Sequence, residues 1–99
     1  MKERSSVTLA STVRASPQVV SAEHPGEVVI LDPRSSAYFG LDDVGAAIWD
    51  RLARPVTVGW LVEEILAAYD AERDRLEEDV LTLLDELARR GLIDVDPPP

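Results

Sequence analysis

Residues 27–52 read EVVILDPRSSAYFGLDDVGAAIWDRL, and within this stretch the apolar positions change from a strand period to a helix period. Val28-Val29-Ile30-Leu31 is an unbroken aliphatic run, which predicts a well-buried central strand. Asp32-Pro33-Arg34-Ser35 places Asp first and Pro second, as a type I turn prefers. Residues 36–40 then return as a further strand. From Leu41 the period is about 3.6. Val44, Ile48 and Leu52 share one face with Trp49 beside them. Asp42 or Asp43 stands at the N-cap, and Pro55 ends the helix.

Upstream, residues 18–23 contain Val19 and Val20 and read as a strand. His24-Pro25-Gly26-Glu27 is a turn, because proline presets φ and glycine permits positive φ at the next place. The three strands make an antiparallel meander with short connections. Residues 1–17 are rich in Ser and Thr. Val7, Leu9 and Val13 alternate weakly there, interrupted by Ser11, so the segment is either a loose arm or an extra strand.

Downstream, Thr57 caps a second helix, with Val56 and Leu61 placed as a hydrophobic staple. Leu61, Ile65 and Tyr69 share its face, and Gly59 weakens it slightly. The third helix begins at Glu72 or Arg73 and reaches Arg90. Leu76, Val80, Leu83 and Leu87 recur along it at helical spacing, and Leu81, Leu84 and Ala88 widen the stripe. Asp85 with Arg89, and Glu86 with Arg90, are i,i+4 pairs in the favourable order. Gly91 is placed as a left-handed residue after the helix, with Leu92 folding back on Leu87. The expected order is β-β-β-α-α-α. This is an α+β domain over residues 18–95, a three-stranded antiparallel sheet followed by three helices, with residues 96–99 as a tail.

The 99 residues suit one domain, and 45% hydrophobic content suits a packed core. The net charge of -9 disfavours nucleic acid and anionic membrane surfaces. There is no cysteine, hence no disulfide, thiolate metal site or cysteine nucleophile. No apolar run is long enough to span a bilayer and no signal peptide is evident, so a soluble cytoplasmic protein is expected.

Little points to catalysis. The one histidine, His24, sits in a turn, and Glu77, Glu78 and Asp79 are consecutive, so they spread around a helix instead of converging. No metal-ligand spacing or phosphate loop occurs, and no cofactor is expected. Three helices with a sheet are also the parts of a DNA-binding winged helix. Residues 70–90, however, carry eight acids against four arginines, and such a helix is repelled by a phosphate backbone. Peptide binding fits better. An outer strand over residues 36–40 offers unpaired N–H and C=O groups, and an amphipathic helix beside it supplies pockets. Such an edge can also pair with its own copy when no peptide is present.

Three segments carry a family resemblance. They are Val28-Val29-Ile30-Leu31-Asp32, Ala37-Tyr38-Phe39-Gly40-Leu41-Asp42 and Gly45-Ala46-Ala47-Ile48-Trp49. With Asp79-Val80, Leu83-Leu84, Leu87 and Gly91-Leu92-Ile93 downstream, the ordered set resembles the PqqD family. Asp42 stands where that family often has Asn. The resemblance implies a winged-helix-turn-helix-like recognition element without chemistry of its own. It would bind the leader of a ribosomally made precursor peptide as a strand added between the third strand and the third helix. The chain is most similar to the standalone recognition proteins of lasso-peptide pathways. There it would deliver the precursor to a leader peptidase or another modifying enzyme. The alternative within the family is a peptide chaperone for a radical enzyme in quinone-cofactor biosynthesis. Mapped here, the groove would comprise Ser36, Ala37, Tyr38 and Phe39 on the strand, and Leu76, Asp79, Val80, Leu83 and Leu84 on the helix. Trp49 and Trp60 are read as core.

Overall fold

The computed structural model describes residues 7–96; Met1 to Ser6 of the N-terminal segment and the three closing prolines lie outside the described residues. In chain order the elements are β1 (Thr12–Ala15), β2 (Val20–His24), β3 (Glu27–Asp32), β4 (Ala37–Asp42), α1 (Asp43–Asp50), a 3₁₀ turn (Arg51–Ala53), β5 (Val56–Thr57), α2 (Val58–Ala68), α3 (Arg73–Arg89) and β6 (Ile93–Asp96). The expected antiparallel meander is present as β2-β3-β4, and three helices follow it.

Both hairpins follow their turn chemistry. Pro25-Gly26 joins β2 to β3, and Gly26 has φ 76°. Between β3 and β4, Ser35 N–H donates to the Asp32 carbonyl at 3.2 Å, which closes the type I turn. Ser36 follows it in the left-handed region, φ 62°. Asp32 Oδ1 also accepts from the Arg34 backbone N–H at 3.0 Å and from Arg34 Nε at 2.8 Å. Arg34 in turn donates from Nη2 to the Gly91 carbonyl at 3.0 Å, so the hairpin tip is fastened to the end of α3.

The reading of residues 28–31 needs a correction. β3 is central, but only Val28 and Ile30 of that run are buried, while Val29 and Leu31 are exposed. The helices cover one face of this antiparallel sheet, so even a continuous aliphatic run alternates in burial. The element order also differs from expectation. Residues 1–17 contribute β1, which pairs with β5 on one side and β6 on the other in a second antiparallel sheet. Val13 on β1 has no exposed surface, and Ser11, which interrupts the alternation, is buried as well. The Ser11 carbonyl accepts the first N–H of α2, from Val58, at 3.0 Å, which ties the N-terminal segment to a helix start.

The helices end as their sequences dictate. Thr57 caps α2 by accepting Trp60 N–H at 3.2 Å. Asp42 occupies the N-cap of α1 without a side-chain cap bond, and Asp43 takes φ 51°. At the far end of α3, Leu92 N–H donates to the Leu87 carbonyl at 2.9 Å and Gly91 N–H to that of Ala88 at 3.0 Å. With Gly91 at φ 73° this is a Schellman motif. The core lies between the meander and the helices, with Ile30, Ile48, Leu52, Leu61, Ile65, Leu84 and Leu87 at its centre. Trp49 is buried in it; Trp60 is not, being 44% exposed on α2.

Candidate strand-edge groove between β4 and α3

β4 is the outer strand of its sheet, with β3 on one side and no strand on the other among the described residues. Strand alternation turns Phe39 and Leu41 toward the helices and Tyr38 away from them. Phe39 is half-buried, while Tyr38 is 75% exposed. Tyr38 lies in register with Leu31, and Leu31 with Val20, so the three form an apolar row on the uncovered sheet face. Ser36 is in the preceding turn and not on the strand.

α3 is fixed at both ends, to α2 at its start and to the β3–β4 hairpin tip at its end. Near its start, Glu72 caps it by accepting Arg75 N–H at 3.3 Å. Arg73 makes a two-pronged contact with Glu63 of α2, at 2.7 and 3.2 Å. At its end, the Schellman motif and the Arg34 contact fix the last turn. Between α1 and α3 an open cleft of about 400 Å³ is walled by Val44, Gly45 and Ile48 on one side. Leu76, Asp79, Val80 and Leu83 form the other wall, with Ala71, Glu72 and Arg75 also lining it. The cleft begins where β4 ends: a Cβ on Gly45 would lie 3.2 Å from Leu41 Cδ2, so glycine lets α1 pack closely on that strand.

Four of the five helix residues expected in the groove therefore line one cleft. Val80 and Leu76 serve as both core and cleft wall, at 1% and 5% exposure. Leu83 is half-buried, and Asp79 is exposed beside Arg75, 3.5 Å away. Leu84 does not line the cleft; it has no exposed surface and is core. The α1 wall was not singled out from the sequence. Val44 and Ile48 read there as one core stripe, and an apolar stripe alone does not tell a packed face from a cleft wall.

The other end of the edge is basic. The Arg90 guanidinium carbon lies 4.8 Å from the centroid of the Phe39 ring, a cation–π contact. Arg90 Nε donates to Glu86 Oε2 at 2.7 Å, and Arg89 Nη2 donates to Glu86 Oε1 at 2.8 Å. The expected Asp85–Arg89 pair is not made. Arg89 turns to Glu86 one turn back, and Asp85 Oδ1 is buried without a hydrogen-bond partner among the described residues. The bond from Arg90, followed by the charges of both arginines, holds the Glu86 carboxyl below the usual carboxylate range. Among the described residues no cluster of three or more metal-ligating side chains occurs, and no helix is long and apolar enough to cross a membrane.

The α+β domain, with a three-stranded antiparallel meander followed by three helices and an open outer strand at β4, is of the winged-helix-like class. The chain belongs to the PqqD family, matching its description, Coenzyme PQQ synthesis protein D, over residues 27–93. Among solved structures it is similar to TbiB1 in complex with the TbiA(beta) leader peptide, at 37% identity and a TM-score of 0.76. That match covers 82% of this chain and 94% of TbiB1. It is also similar to a lasso peptide synthetase B1 complexed with its leader peptide, at 28% identity and a TM-score of 0.72. There the coverage is 83% of this chain and 96% of the other. No curated protein matches the sequence.

Proposed function

We propose that this chain is a non-catalytic recognition protein that binds the leader segment of a ribosomally synthesised precursor peptide. The leader adds as an antiparallel strand to β4, with its inward side chains on α3, and is delivered to a leader peptidase or another modifying enzyme of lasso-peptide biosynthesis. One observation carries this reading: β4 is an uncovered sheet edge, and the apolar cleft lined by Leu76, Val80 and Leu83 begins at Gly45, which packs on Leu41 of that strand. Backbone pairing along Ala37, Tyr38 and Phe39 gives affinity with little sequence demand, and the cleft supplies specificity. Ser36 sets the approach to the strand, and Asp79 offers a polar contact at the cleft. Both solved relatives are complexes with leader peptides, and the name of one of them places it in lasso-peptide synthesis, which favours that pathway over the quinone-cofactor role in the family's description.

The test is titration of fluorescein-labelled leaders by fluorescence polarisation. The leaders are those of precursors encoded beside this chain, together with the TbiA(beta) leader. Saturable binding tighter than about 10 µM, roughly -7 kcal/mol, is expected. No binding by folded protein overturns the reading.

A further inference from the structure

Six side chains of α3 and its two caps recur at alternating spacings of four and three residues: Glu72, Leu76, Asp79, Leu83, Glu86 and Arg90. That spacing puts them in one row along the helix. The first four line the apolar cleft. The row then passes through Glu86 and ends with Arg90 on Phe39 of the open strand. The groove is thus apolar at the Asp42 end of β4 and basic at the Ala37 end.

Three arginines, Arg34, Arg89 and Arg90, come together at this end. One carboxylate, Glu86, is shared between Arg89 and Arg90. Arg34 stands close by, against Gly91, but is already matched by Asp32. Nη1 and Nη2 of Arg90 make no hydrogen bond among the described residues, and the side chain is 49% exposed. A guanidinium held over a ring, with its outer nitrogens free, offers donors that a carboxylate can bind in bidentate fashion.

We propose that Arg90, held over Phe39, is a specificity-determining residue that reads an acidic side chain of the bound peptide. The inference rests on the strand-addition reading above. β4 runs from the Arg90 end toward the cleft, so an antiparallel peptide runs from the cleft toward Arg90. The acidic residue therefore lies C-terminal to the residue that fills the cleft. Leu83 and Leu76 precede Arg90 by two and four helical turns, roughly 10 and 21 Å, which a strand covers in roughly three to six residues. Both side chains point inward, so the separation is even, about four or six residues.

The experiment is a positional scan of whichever leader binds in the titration above. Each residue is replaced in turn by Glu, Gln and Lys, and affinities are measured against wild-type protein and Arg90→Gln. We expect one inward position, C-terminal to the cleft residue, where Glu binds about fivefold tighter than Gln and Lys binds more weakly still. That preference disappears in Arg90→Gln and weakens as salt is raised. No position preferring Glu, or a preference that persists in Arg90→Gln, overturns the proposal while leaving the leader-binding reading intact. Should Arg90→Gln not fold, the scan on wild-type protein still decides: a preferred Glu insensitive to salt, or N-terminal to the cleft residue, counts against it. Failure of every unmodified leader to bind removes the reading underneath.

Discussion

Leu83 and Leu84 are neighbours in sequence with opposite duties. Leu84 has no exposed surface and sits at the centre of the core, whereas Leu83 faces the cleft half-buried. Leu84→Ala is expected to lose about 2–5 kcal/mol in urea unfolding, as buried leucines do. Leu83→Ala is expected to lose less than about 1.5 kcal/mol of stability while weakening the leader severalfold. Tyr38→Ala should keep the fold and cost less affinity than Leu83→Ala, because the tyrosine side chain is turned from the helices and joins the peptide site through its backbone. This division was not legible in the sequence. Both leucines fall on the broad apolar stripe of α3, and only the position of α1 decides which of them is covered. Phe39 was legible as one of an alternating pair; its partner Arg90 was not, since an exposed arginine in a last turn reads as a helix-dipole or ion-pair residue.

At the scale of elements, the β4 edge and the hairpin behind it carry the account. An antiparallel strand alternates between residues that bond their neighbour on one side and on the other. Methylating leader backbone nitrogens one at a time should therefore abolish binding at every second position and spare those between, as read by fluorescence polarisation. A uniform effect would indicate binding by side chains alone. The hairpin tip has a titration of its own. Asp32 is hydrogen-bonded by Arg34, which lowers its pKa below the ordinary 3.8. A carboxyl with a lowered folded pKa adds stability that is fully present above its unfolded pKa and is lost as pH falls through the folded value. Acid should loosen the Arg34–Gly91 fastening as pH falls through that lowered value. In thermal melts from pH 7 downward, Asp32→Asn should be less stable than wild type at neutral pH, with the gap narrowing as pH falls below the ordinary carboxyl value. Turn and cap chemistry were legible here because they are local. Asp-Pro, Pro-Gly, Thr57 and Gly91 each act within a few residues.

Across the whole molecule, the second sheet is what the sequence concealed. β5 has two residues, β1 and β6 four each, and β1 pairs with β6 from the opposite end of the chain. Strands so short show no usable period, and their pairing depends on how the domain closes. The three-helix succession and the meander, by contrast, have long periods and local contacts. β1 joins the two ends, and Ser11 just before it bonds the start of α2, so Val13→Asp is expected to unfold the domain as a unit: a buried unpaired carboxylate costs several kcal/mol. Circular dichroism should show loss of helix and strand together, with leader binding lost at the same time. The central claim is that an extended leader completes the β2-β3-β4 sheet at β4, against α3. The most direct measurement is amide hydrogen exchange across the chain, with and without a saturating leader. Slowed exchange concentrated in β4 and the cleft-facing part of α3, with β2 and β6 unchanged, is the predicted result. Protection of β2 or β6 instead, with β4 exchanging as before, would contradict it.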